Sequence, residues 1–187
     1  MSKKYKILGL AGSLRKDSLN KGLIQAALEL APENMEIEDY TINNIPLYDE
    51  DLRASESPKA VIELKEKIRS SDGLLIATPE YNYSIPGVLK NAIDWISRPP
   101  AESPLNNKPL AIMGATGGIS GTIRAQLHLR QIAVFTNMIV MNKPEILIPK
   151  AGDKFDKEGN LTDESTREHI KKFLIEYAKW IERVSIK

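Results

Sequence analysis

Residues Tyr5–Asn20 read YKILGLAGSLRKDSLN, and this stretch decides the fold. Tyr5–Ala11 is a short apolar run, the pattern of a strand buried on both faces. Gly12–Asn20 turns polar. Asn20–Leu30 then carries Leu23, Ile24, Ala27, Leu28 and Leu30 on or near one helical face until Pro32 stops it. A buried strand, a polar turn and an amphipathic helix form the first unit of a parallel α/β sheet.

The same alternation of period continues along the chain. Met35–Tyr40 reads as a strand, Ile42–Ser57 as a loop, and Ser57-Pro58 as the start of a helix carrying Val61, Ile62, Leu64 and Ile68. Gly73–Thr78 (GLLIAT) is the most strand-like run. Ile85-Pro86 opens a helix to about Ser97, Pro109–Gly114 is a fourth strand, and Thr122–Thr136 a helix. Met138–Ile148 is strand interrupted by Pro144, and Lys150–Asn160 is a charged loop. Thr162 is expected to cap a last helix carrying Ile170, Phe173, Leu174, Tyr177, Ile181 and Val184. Five strands alternating with five helices predict a three-layer, doubly wound domain over residues 1–187, with a five-stranded parallel sheet in the order 2-1-3-4-5. The six-stranded dinucleotide-binding alternative normally shows G-x-G-x-x-G after its first strand, and Gly9-Leu10-Ala11-Gly12-Ser13 stands there instead.

The 187 residues suit one domain with a sizeable core. A net charge of +1 gives no overall pull toward nucleic acid or an anionic membrane. No apolar run is long enough to span a bilayer, and Met1-Ser2-Lys3-Lys4 leads into a strand rather than a signal peptide, so a cytoplasmic location is expected. The sequons at Asn82 and Asn160 are read as coincidental. The absence of cysteine removes disulfides, thiolate metal sites and cysteine nucleophiles, and two histidines, His128 and His169, make a poor case for zinc. Redox chemistry on such a chain requires a bound cofactor.

In open parallel sheets ligands bind beyond the carboxyl ends of the strands, where the strand order reverses. That point lies between strands 1 and 3, flanked by Gly12–Asn20 and Pro79–Pro86, with Gly114–Gly121 next to it. In the first loop Ser13, Ser18, Asn20 and Arg15 offer donors in front of a helix N-terminus, which favours an anion. The same residues also suit a plain strand–helix turn capped by Ser18. The second loop, PEYNYSIPG, is stiffened by Pro79 and Pro86 and carries Tyr81 and Tyr83; a loop-closing hydrogen-bond role suits Glu80 better than that of a catalytic base. The third holds four glycines in eight residues, which permit close backbone approach to a ligand or positive φ, or simply make a flexible loop.

Taken together these stretches resemble the NADPH-dependent FMN reductase family of flavodoxin-like flavoproteins, which includes quinone and chromate reductases and related azoreductases. The matching segments are GSLRKDSLN at Gly12–Asn20, PEYNYSIPGVLKNAIDW at Pro79–Trp95, GATGG at Gly114–Gly118 and RAQLHLRQI at Arg124–Ile132, with IPLYDEDL at Ile45–Leu52 and NKPE at Asn142–Glu145. The resemblance implies FMN as bound cofactor and NADPH or NADH as electron donor. It implies that Ser13, Arg15, Ser18, Leu19 and Asn20 surround the FMN phosphate. It places Pro79, Glu80, Tyr81 and Asn82 along the isoalloxazine ring, with Ala115, Thr116 and Gly117 on the other flank. It also implies a homodimer or homotetramer built through the helices Pro86–Ser97 and Thr122–Thr136, with Trp95 and His128 as interface candidates; Trp95 also suits a core position, and His128 a satisfied polar position on its helix. The expected activity is ping-pong electron transfer to quinones, azo compounds, chromate or free flavin. No side chain is assigned a catalytic role, because the hydride is carried at the flavin N5. The alternative is a flavodoxin-type carrier docking on protein partners; such carriers are usually strongly acidic, which the charge of +1 does not match.

Overall fold

A computed structural model describes residues 3–185; Met1 and Ser2, part of the N-terminal reading above, lie outside the described residues, as do Ile186 and Lys187. The strands are β1 (Tyr5–Ala11), β2 (Met35–Tyr40), β3 (Gly73–Ala77), β4 (Pro109–Ala115), β5 (Ile139–Val140) and β6 (Ile146–Ile148). The helices are α1 (Leu19–Leu30), α2 (Glu50–Ser55), α3 (Lys59–Ser70), α4 (Gly87–Ile96), α5 (Ile123–Phe135) and α6 (Glu164–Ser185). All named pairings are parallel, in the order β2-β1-β3-β4-β5, and β6 also pairs with β4. This is the flavodoxin-like arrangement the sequence predicts.

Successive strand residues feed opposite cores, as the two-residue period requires. Ile7 and Leu75 pack with α1 and α6, while Leu8, Leu74 and Ile76 pack with α3, α4 and α5. Both faces of β1, β3 and β4 are therefore buried, which explains their unbroken apolar runs. One polar group is built into a core: the Tyr177 hydroxyl of α6 lies 2.7 Å from the Leu74 carbonyl oxygen and 2.9 Å from that of Pro109. Burial raises its pKa well above the ordinary value, keeping it a neutral donor.

The interruption expected at Pro144 splits the fifth strand in two, because proline has no N–H to give the ladder; β5 pairs with the start of β4 and β6 with its end. Two local details differ from the sequence reading. The segment read as a loop contains α2, which buries no residue. Its warrant is local: Asp49 accepts hydrogen bonds from the N–H groups of Asp51 and Leu52, and Glu50 and Asp51 sit in the first turn. Finally, Asp163 rather than Thr162 caps α6, its carboxylate accepting from the Thr166 N–H at 3.0 Å. The Thr162 hydroxyl instead donates to the Lys154 carbonyl oxygen at 3.3 Å.

Candidate functional site

The strand order brings the carboxyl ends of β1, β3 and β4 side by side. The loop after β1 leaves the sheet through Gly12, whose N–H donates to the Ala77 carbonyl oxygen at 2.8 Å. A Cβ on Gly12 would stand 3.0 Å from Leu89 Cδ2 of α4 and 3.2 Å from Thr78 Oγ1 just after β3, so the first loop approaches both closely there. Ser13 and Ser18 are buried and Arg15 is exposed. Ser18 caps α1, its hydroxyl oxygen accepting from the Asn20 N–H at 3.3 Å, and the Ser13 oxygen accepts from the Arg15 N–H at 3.3 Å. Among the described residues, the backbone N–H groups of Leu14, Lys16, Asp17 and Ser18 have no protein acceptor. Free donors, the Arg15 and Lys16 cations and the positive end of α1 make a cradle whose chemistry fits a phosphate.

Asn20 does something the sequence does not reveal. Its carboxamide oxygen accepts from the Ala115 N–H and its NH₂ donates to the Ala115 carbonyl oxygen, each at 3.0 Å. Both groups are buried. Asn20 thus ties the start of α1 to the end of β4, and through it the first loop is held in register with the third.

The loop after β3 is a tight turn. Asn82 and Tyr83 take positive φ (50° and 63°), and Tyr81 and Ser84 close it with a reciprocal pair of backbone hydrogen bonds at 2.9 Å. Much of what else holds it comes from the start of α5. Thr122 precedes that helix in a left-handed conformation and makes no side-chain cap. The Glu80 carboxylate replaces it, accepting from the N–H groups of Arg124 (3.0 Å) and Ala125 (3.4 Å) and from the Arg124 guanidinium (3.2 Å). Burial alone would raise the Glu80 pKa, but these bonds and one from Ser120 outweigh it and hold the pKa below the ordinary range. The carboxylate is an anion at neutral pH, and its hydrogen bonds close the loop onto the start of α5. The Arg124 guanidinium also lies 4.0 Å from the Tyr83 ring centroid, and Ser84 Oγ is 2.7 Å from His128 Nδ1.

At the end of β4 and in the loop after it the glycines divide. A Cβ on Gly114 would meet Thr122 Oγ1 at 2.1 Å and the Thr78 carbonyl oxygen at 2.5 Å, so packing demands glycine. Gly121 takes positive φ. Gly117 and Gly118 do neither: a Cβ on Gly117 meets nothing within 4 Å, and one on Gly118 only Thr116 Oγ1 at 3.6 Å. Thr116 is half-buried and Gly117 exposed beside it.

Two residues outside the expected set shape the site. Asn91 of α4 accepts from the Tyr48 N–H at 2.8 Å and donates to the Pro46 carbonyl oxygen at 2.7 Å, and the Trp95 indole N–H donates to that same oxygen at 2.8 Å. Together they clip the segment Ile45–Tyr48 onto α4. Of the two readings of Trp95, interface or core, the structure gives the core: it is fully buried in its own chain. Asn91 and Arg124 each lie inside a quoted motif, and an asparagine one turn before a tryptophan was the available signal for the clip. His128 is exposed, as are Leu127, Val134 and Phe135 on the same helix. Among the described residues no helix is long and apolar enough to cross a membrane, and no three His, Asp or Glu side chains cluster to hold a metal.

The chain matches the NADPH-dependent FMN reductase family over residues 5–153 and belongs to it. It is 50% identical to an NAD(P)H-dependent FMN reductase of Pseudomonas aeruginosa, across 98% of this chain and 99% of that one. It is 44% identical to a quinone reductase of Escherichia coli over the whole of both chains. Among solved structures, the flavoenzyme NAD(P)H:(acceptor) oxidoreductase FerB of Paracoccus denitrificans superposes with a TM-score of 0.87 at 36% identity, covering 96% of this chain and 98% of that one.

Proposed function

We propose that this protein is an FMN-containing NAD(P)H oxidoreductase that passes electrons to small acceptors such as quinones, azo compounds, chromate or free flavin. The observation that carries the reading is the meeting, at the switch point of the sheet, of a donor-rich loop at the start of α1 with a rigid turn after β3. Arg15, Ser13, Ser18 and the free N–H groups near Leu19 hold the phosphate, and Asn20 keeps that loop docked on β4. Pro79, Glu80, Tyr81 and Asn82 flank the ring on one side, and Ala115, Thr116 and Gly117 on the other. Glu80 acts through structure, fixing the turn against α5. The flavin supplies the hydride chemistry when bound, so no side chain has to act as acid, base or nucleophile. Donor and acceptor occupy one site in turn, a ping-pong cycle. The protein is proposed to self-associate as a dimer or tetramer, a reading supported by Val134 and Phe135 of α5, 82% and 73% exposed.

The test is direct. The purified protein is expected to carry, or take up, FMN with its visible absorption bands, and stopped-flow mixing with NADPH is expected to bleach them in one phase. Colourless protein that binds no added FMN overturns the cofactor assignment. Flavin that NADPH cannot reduce points to the carrier alternative.

A further inference from the structure

A groove of about 520 Å³ opens at the edge of the sheet, between the segment Pro144–Pro149 and the first half of α6. It shares no residue with the three loops of the candidate cofactor site, and its size falls in the range of small-molecule sites. One wall is apolar: β6 with a proline on either side, left uncovered because β6 pairs only with β4. The other wall is a stripe of α6. Ser165, His169 and Lys172 are spaced i, i+4, i+7, so they share one face of the helix, and all three are exposed. Among the described residues, none of these three side chains has a hydrogen-bond or ion-pair partner. The remaining charges in the groove are engaged. Lys154 donates to Asp163 at 2.7 Å and to the Thr166 hydroxyl oxygen at 3.2 Å, and the Glu145 carboxylate lies 2.9 Å from the Lys143 ammonium.

We propose that this groove is a second ligand site, separate from the cofactor cleft, and that it takes a linear monocarboxylate of medium chain length. The chain lies along Pro144–Pro149 and the carboxylate faces His169 and Lys172. Each part follows from a wall. The apolar wall gains from desolvating an alkyl chain, and the α6 stripe offers an ammonium, a ring N–H and a hydroxyl to an anionic head. A small inorganic anion would use only the exposed donors, which water screens. A cation would meet Lys154 and Lys172. Length favours a chain over a compact ring system: six extended residues from Pro144 to Pro149 run about 16 Å, and the stripe from Ser165 to Lys172 about 10 Å. The occupant is no electron acceptor, since the groove adjoins none of the ring-flanking residues.

The experiment titrates monomeric octanoate into the full-length protein, saturated with FMN, by calorimetry at pH 7, with octylammonium, 1-octanol and acetate as comparison ligands. The variants are Lys172→Glu and, as the conservative control, Lys172→Arg; Lys172 is exposed and partnerless, so neither threatens the fold. Expected are one octanoate per chain, about fivefold weaker binding of octanol and of octanoate to Lys172→Glu, octanoate binding to Lys172→Arg within about twofold of wild type, and no binding of octylammonium. Acetate, without the chain, is expected to bind at least about a hundredfold more weakly than octanoate. Octanoate that does not bind, that binds no better than octanol, or that ignores Lys172→Glu overturns the assignment. So does release of FMN or competition with a quinone acceptor, which gives octanoate to the cofactor cleft, and so does a change of oligomer size in sedimentation, which gives the groove to a second copy of the chain. A protein that takes up no FMN fails the cofactor reading alone, and the octanoate titration of the flavin-free chain then tests the groove.

Discussion

The loops after β3 and β4 flank the same cleft, and their compositions suggest opposite mechanics: one holds prolines and tyrosines, the other glycines. The structure shows that residue type is a poor guide to what holds each loop. The turn after β3 owes its shape to α5, which supplies two backbone N–H groups and the Arg124 guanidinium to Glu80 and brings His128 to Ser84. Without that helix, positive φ at both Asn82 and Tyr83 would be uncompensated strain. The loop after β4 is pinned at its base by Asn20 and by the N–H of Thr116 donating to the Ile148 carbonyl oxygen at 3.0 Å. Only its tip, Gly117–Ile119, is exposed. Anchorage in both comes from residues distant in sequence, and the glycines that matter are those at the base.

Gly114→Ala breaks the comparison hardest. Its Cβ would collide with the Thr78 carbonyl and Thr122, and the variant should lose about 2–3 kcal/mol in urea unfolding. Gly117→Ala, three residues away, should change stability by less than about 0.5 kcal/mol, because nothing stands within 4 Å of the new methyl group. Equal effects would mean that base and tip are not mechanically distinct. Asn20→Ala should cost about 2–3 kcal/mol, since it leaves the buried N–H and carbonyl of Ala115 without partners. Arg15→Ala is expected to weaken FMN binding by about 1.5–3 kcal/mol while leaving the unfolding midpoint of the flavin-free protein unchanged, measured by flavin fluorescence titration and by urea.

The smallest effect is a pH dependence. Glu80 has a depressed pKa in the folded protein. Its stabilising contribution is therefore complete above the unfolded value of about 4.3 and is lost as pH falls through the lower folded value. Glu80→Gln should lower the Tm by a few degrees at pH 7, and the gap should narrow below about pH 4. A gap that stays constant down to pH 3 would show that the carboxylate charge does not hold the turn.

Much of this was legible in advance because it is local. Unbroken apolar runs at Tyr5–Ala11, Gly73–Ala77 and Pro109–Ala115 announce strands buried on both faces, and the helices between them require parallel pairing. The motif Pro79–Trp95 was recognisable as a unit, although Trp95 turned out to be a core residue, because its face of α4 points inward and its N–H finds Pro46. The short helix α2 was missed, because a cap and the Glu50–Arg53 ion pair sustain it and leave no apolar period to read.

The sequence by itself determined the layer order, the switch point and the family, since hydrophobic period and contiguous motifs are properties of neighbouring residues. Only the tertiary structure decided that Glu80 caps a helix 44 residues further on, that Asn20 clasps Ala115 across 95 residues, and that Asn91 holds Pro46 and Tyr48 against α4. Such bonds join groups whose separation along the chain carries no signal, and only the folded sheet brings them within 3 Å of one another.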